Sequence, residues 1–220
     1  STGDANTAVG NESLKLNTSG PRNSALGKGA LGANTTAADN TAVGYNALTA
    51  NTTGAENVAV GALALDANTI GCRNVTVGYY AMSGNTEGDF NTAVGRAALS
   101  TNTTGDENTA GGYHALVSST TASSNTAFGY NVLASATTGA NNTAIGKGAL
   151  DSSTTGARNT AVGCGALTAN TTSTDNTAIG VEAGQQITTG ANNSVMGSGA
   201  GTSSSPFHIT TQNGRIVLGN

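Results

Sequence analysis

The sequence has 220 residues, of which 32 are glycine, with 9% charged and 4% aromatic side chains, no tryptophan and a formal net charge of −4. Large apolar groups are too few for an ordinary globular core, and no basic stripe follows the pattern of a phosphate backbone, so no nucleic-acid partner is expected. No apolar run approaches the roughly 20 residues that cross a bilayer, so no membrane insertion is expected either.

Taken in chain order, the first element is the pentad Asn6-Thr7-Ala8-Val9-Gly10. It returns, unchanged or loosened, at Asn23, Asn40, Asn57, Asn74, Asn91, Asn108, Asn125, Asn142, Asn159, Asn176 and Asn193. The 17-residue step never varies, and the twelve copies contain no insertion or deletion. Many small polar residues with low hydrophobicity are also a mark of disorder, but a disordered linker has no reason to keep register. A strict period makes each copy one rung of a stack, where one extra residue misaligns every neighbour. Residues 1–205 therefore read as one all-β parallel solenoid, or β-roll, of about twelve rungs. Only two prolines occur, which leaves a backbone ladder uninterrupted. The chain opens at Ser1 directly on a repeat, with no signal peptide, and reads as a piece excised from something longer.

Within a rung, the pentad asparagine is position 1. Positions 2 and 4 alternate with position 3, which predicts a short strand with one face inward. Position 4, as in Val43, is apolar in all rungs but one and is the expected core column. Its single gap is Gly111, and the ring of Phe128 in the next rung is expected to lean into that space. Position 5, as in Gly44, is glycine in all twelve rungs, which points to a positive φ or a close backbone approach. Position 8 is nearly always alanine. Position 9, as in Leu48, is Leu or Met until Gly184 and Gly201 replace it, and forms a second apolar column. The Ala-Leu segment is too short for a helix, so each rung reads as two short strands joined by glycine turns. Position 1, as in Asn40, becomes an asparagine ladder between rungs, and position 13 a threonine ladder from Thr18 to Thr188.

Two medium apolar side chains per rung contribute about 3–6 kcal/mol, less than the roughly 1–2 kcal/mol per residue that backbone ordering costs. A second buried surface is therefore expected. Either the Leu column or the Val column should face other copies of the chain, with a homotrimer favoured.

The candidate ligand-contact strip is position 6, which holds Lys28, Tyr45, Tyr79, Arg96, Tyr113, Tyr130 and Lys147 and takes four of the five tyrosines. Rings that stack on sugar faces and cations that meet acidic groups would suit a cell-surface glycan or protein receptor. The same residues also suit ring and cation–π pairing between rungs. Position 17 collects charge and should pair Glu56 with Arg73 at the surface. Cys72 and Cys164 lie about 29 Å apart along the stack, beyond disulfide reach. His114 and His208 have no partner at ligand spacing. No catalytic set, cofactor site or metal site is expected, and the chain reads as a non-enzyme. Asn51-Thr52-Thr53 and Asn102-Thr103-Thr104 match glycosylation sequons.

The last element, residues 206–220, breaks the period. Asn213-Gly214 between alternating segments predicts a two-residue hairpin in a connector or cap.

The pentads Asn57-Val-Ala-Val-Gly61 and Asn74-Val-Thr-Val-Gly78 resemble the head repeats of YadA-like trimeric autotransporter adhesins, which form left-handed parallel β-rolls packed as trimers. This rung is a few residues longer than that family's usual repeat. The fuller Asn-Thr-Ala-Val-Gly…Asn-Thr-Thr-Gly pattern is similar to repeats of bacteriophage tail fibres, which often end in an endosialidase-type intramolecular chaperone, and residues 206–219 resemble the connector before it. The resemblance implies a structural and receptor-binding segment of a trimeric fibre, on a virion tail or a cell surface. Two other readings stand beside it. One is a self-assembling extracellular filament, and the other is an ice-binding solenoid that uses the position 13 threonines.

Overall fold

Each repeat contributes one three-residue strand, because only positions 2 to 4 are extended before the glycine at position 5 turns the chain. A computed structural model describes residues Thr2–Gly219 as an all-β parallel β-solenoid in two units. Ser1–Asn108 carries β1 (Thr7–Val9), β2 (Ser24–Leu26), β3 (Thr41–Val43), β4 (Val58–Val60), β5 (Val75–Val77) and β6 (Thr92–Val94). Thr109–Asn220 carries β7 (Thr109–Gly111), β8 (Thr126–Phe128), β9 (Thr143–Ile145), β10 (Thr160–Val162), β11 (Thr177–Ile179), β12 (Ser194–Met196) and β13 (Ile216–Leu218). Within each unit consecutive strands pair in parallel, and equivalent rung positions face each other, as Thr41↔Val58 and Thr143↔Thr160 do.

The inside of the coil corrects the expected core. The alternation in the strand holds, but its sense is reversed: Ala42, Ala59 and Ala93 at position 3 are fully buried, while position 4 points outward. Val9 is 55% exposed, Val94 44% and Ile145 42%. A 17-residue coil is narrow, so its strand wall offers mostly a methyl group to the interior, with Thr76 and, in the late rungs, Val195 and Val217 as the larger exceptions. The opposite wall supplies alanine at position 8 and leucine at position 9, and Leu31, Leu48, Leu65 and Leu99 have no exposed surface. Period-2 patterning locates the two faces without saying which one is inside.

The expected second strand is also corrected. Positions 5 to 12 form two consecutive turns, closed by the position 8 amide on the position 5 carbonyl and the position 12 amide on the position 9 carbonyl. Ala47 N to Gly44 O (3.4 Å) and Asn51 N to Leu48 O (3.4 Å) are one such pair. Positive φ recurs at positions 7 and 9, as at Asn46 (51°) and Leu48 (53°), and prevents an extended chain. Gly44 at position 5 has φ 141°, and a Cβ there would overlap the carbonyl of Gly61 in the next rung. Positive φ and close approach both hold at this column.

Asparagines do much of the interior bonding, in two ladders. At position 1, the Asn57 Oδ1 accepts the backbone N–H of Asn74 (3.0 Å), and its Nδ2 donates to the carbonyl of Gly71 (2.8 Å). At position 12 a second ladder runs amide to amide, through Asn34, Asn51, Asn68, Asn85 and Asn102, with steps of 2.8–3.1 Å. The sequon asparagines Asn51 and Asn102 belong to this second ladder and are fully buried. Position 13 threonines donate a hydroxyl to the carbonyl of the next rung, as Thr52 Oγ1 does to Thr69 O (3.0 Å).

The tail does not form a hairpin. Ile216–Leu218 pairs in parallel with Ser194–Met196, so it adds a strand to the stack after a longer excursion than a standard rung makes. Gly214 takes a positive φ of 64°, as the residues at position 17 do in earlier rungs, instead of forming half of a two-residue turn. The late rungs also exchange their fillers. Where position 9 becomes Gly184 and Gly201, Ile187 at position 12 and Ile209, its counterpart in the last rung, are buried and supply the missing apolar volume.

Candidate functional site

Position 6 follows the turn glycine, where the chain leaves the strand wall and side chains stand clear of the coil. Backbone bonds hold the column in register, with Ala97 N on Tyr79 O (3.0 Å), Asn131 N on Tyr113 O (3.0 Å) and Gly148 N on Tyr130 O (3.0 Å). In the first unit the Arg96 guanidinium lies over the Tyr79 ring at 5.8 Å, and Tyr80 meets Tyr79 edge to face at 4.6 Å. In the second unit Tyr113 and Tyr130 stack at 5.3 Å with an 8° interplanar angle, and His114 stacks on Tyr113 at 3.9 Å. Lys28, Tyr45 and Lys147 share the column without a ring partner among the described residues. The strip is thus an exposed ridge of paired rings and cations, and Tyr45 and Tyr130 keep about half their surface open. Ring pairing between rungs accounts for part of it. The open ring edges and the lysines offer stacking and charge to a ligand.

The position 17 corner is an ion-pair edge. Arg22 holds Asp39 through two bonds (2.6 and 2.7 Å), and Arg158 holds Asp175 in the same way (2.7 and 2.8 Å). Arg73 reaches Glu56 at 3.2 Å and also covers the Phe90 ring at 5.2 Å. Hydrogen bonds from the guanidinium groups hold the Asp39 and Asp175 carboxyls below the usual carboxylate range. All these groups are at the surface, where such pairs add little to stability.

Two further carboxylates behave differently. Asp66 and Asp151 occupy position 10, and partial burial pushes both upward. The Asp66 Oδ1 has no hydrogen-bond partner. Cys72 and Cys164 are free thiols. Among the described residues, no group of three His, Cys, Asp or Glu side chains could hold a metal ion, and no helix is long and apolar enough to cross a membrane.

Sequence reasoning names the Val column as one of two that could face other copies, but takes it as core and overlooks the position 2 row beside it on the outer face of the strand wall. Positions 2 and 4 form two parallel rows there, β-branched or apolar in almost every rung. In the first unit Thr41, Val58, Val75 and Thr92 run beside Val43, Val60, Val77 and Val94. The signal is the same alternation, taken with the opposite sense.

Comparison with protein-family models, with curated proteins and with solved structures finds no match to this chain.

Proposed function

We propose that this chain is a non-catalytic structural and receptor-binding segment of a homotrimeric fibre, carried on a phage tail or a cell surface. The observation that carries the reading is the outward position 4 row. In the first unit Leu26, Val77 and Val94 of that row are 38–51% exposed, and in the second Phe128, Ile145, Ile179 and Met196 are 39–51% exposed, in a chain with few large apolar groups to spare. Soluble monomers rarely leave a contiguous apolar patch of more than a few hundred Å² open. Further copies of the same chain are the occupants that fit, since the row is β-branched or apolar in almost every rung and can pack against its own kind around an axis. Of the two columns expected to face other copies, the Leu column is consumed inside the coil and the Val column is free.

Three solenoids joined through this face keep the position 6 ridge on the outside. The asparagine ladders make each rung stiff, and three ridges at once give avidity to individually weak contacts with a glycan or protein receptor. Light scattering of the purified chain tests the reading, with Val60→Asp/Val77→Asp as the control. The wild type should have three times the 21.3 kDa chain mass, and the variant should fall to a folded monomer. A monomeric wild type would overturn the assembly.

Ice binding has a narrower basis. The position 13 hydroxyls donate to backbone carbonyls, so the surface that would serve is the position 2 threonine row beside the valines. Thermal hysteresis by a monomeric chain would select this reading over the fibre.

A further inference from the structure

We propose that Gly111 and Phe128 form a register key, which fixes how copies of this chain align along the stack. The inference rests on the proposed assembly through the position 4 row. In the unit Thr109–Asn220 that row runs Gly111, Phe128, Ile145, Val162, Ile179, Met196. It contains one glycine and one aromatic residue, and the two are direct partners in the β7–β8 ladder. The Phe128 ring lies across Gly111, so that a Cβ at Gly111 would overlap the ring carbons Cδ1 and Cε1. The ring remains 47% exposed on the outer face.

An assembly made from identical rungs needs such a device. Sliding one copy along another by a single rung replaces each β-branched contact with a similar one and loses contacts only at the ends. Regular faces of this kind specify register weakly. Phe128 ends the degeneracy. In register, each ring folds onto its own glycine, and rings from different copies meet at one level. After a slip of one rung, the ring of one copy meets Ile145 of the next, or a Gly111 level already covered by a ring. Either way the rings no longer share one level, and the slipped interface loses the shape match of the aligned rows. The pair therefore plays the part that one odd residue plays in a coiled-coil seam, raising the energy of every alignment but one.

The test uses the full chain with Cys72→Ser and Cys164→Ser, so that only added thiols report. One variant carries Val162→Cys and another Ile179→Cys, and the two are co-expressed and oxidised. With Gly111 and Phe128 intact, links should form 162 to 162 and 179 to 179. Mixed 162–179 links report a slip of one rung and should be scarce. Gly111→Val/Phe128→Val gives this row the side chain that other rungs carry, so the fold is retained. In that background mixed links should rise on the order of tenfold or more. Like-to-like links in both backgrounds without that rise overturn the register key and leave the assembly standing. Absence of all links, together with a monomeric mass, overturns both.

Discussion

Removing a position 1 asparagine should cost far more than removing a position 12 asparagine, although both are fully buried amides. The reason lies in which backbone groups each one serves. Asn57 accepts the buried N–H of Asn74, and shares the Gly71 carbonyl with Asn68. In Asn57→Ala that N–H loses its partner, while Gly71 keeps one. Asn68 donates to Asn51 Oδ1 (2.9 Å) and Gly71 O (2.9 Å), and Asn85 still holds Gly88 when Asn68 is gone. No backbone group is orphaned in Asn68→Ala. An orphaned buried donor costs about 1–3 kcal/mol beyond the lost bonds. Asn57→Ala should therefore destabilise by about 3–5 kcal/mol and Asn68→Ala by about 1–3 kcal/mol. Urea unfolding followed by circular dichroism gives both values. Amide exchange supplies the local check, since the Asn74 N–H should exchange at least tenfold faster in Asn57→Ala and stay protected in Asn68→Ala. Equal costs, or a protected Asn74 amide in Asn57→Ala, would refute the division of labour. The repeats already vary in this sense: position 12 becomes Ser119, Ala136 and Ser153, while position 1 stays Asn through Asn193.

Two further outcomes are expected. Asp66→Asn should stabilise the fold at neutral pH, because burial raises this carboxyl and the folded chain prefers it protonated. The native state then holds the extra proton between the ordinary and the raised value, so wild-type stability falls as pH rises through that window. Asp66 is only partly buried, so solvent screening keeps the gain at pH 7 small. The difference should vanish below the ordinary carboxylate range, and a gain that persists at acid pH would count against the assignment. Tyr113→Ala/Tyr130→Ala should abolish receptor or glycan-array binding while leaving assembly mass unchanged. Unchanged binding would remove the position 6 ridge as the contact surface.

The period makes the stack legible in the sequence, and the invariant glycine at position 5 announces both its positive φ and its contact with the next rung. Inside and outside are harder to read. Val43 is the larger, more apolar side chain and Ala42 the smaller, so hydrophobicity favours Val43 as core. The width of a 17-residue coil decides for Ala42, and width does not appear in a pattern of period two. The Ala-Leu segment misleads for a related reason, since left-handed φ at Leu48 is imposed by closing the coil and not by any residue preference. The position 12 ladder is visible as Asn17, Asn34, Asn51, Asn68, Asn85 and Asn102, each one repeat from the next, but four of its members, Asn17, Asn34, Asn51 and Asn102, also match sequons. Asn213-Gly214 carries a real preference for positive φ, which the coil uses once, at Gly214. The position 6 ridge follows directly from side-chain type. Its ring pairs depend on rung spacing, which the period supplies.

The most direct measurement of the central claim is thiol reactivity on the assembled chain, in a Cys72→Ser/Cys164→Ser background. Val94→Cys samples the position 4 row, and Tyr45→Cys samples the position 6 ridge; both sites are exposed in the single chain, at 44% and 51%. If copies pack through the row, Val94→Cys should react with a maleimide at least tenfold more slowly than Tyr45→Cys, and dilution to monomers should erase the difference. Equal rates at all concentrations would contradict assembly through this face.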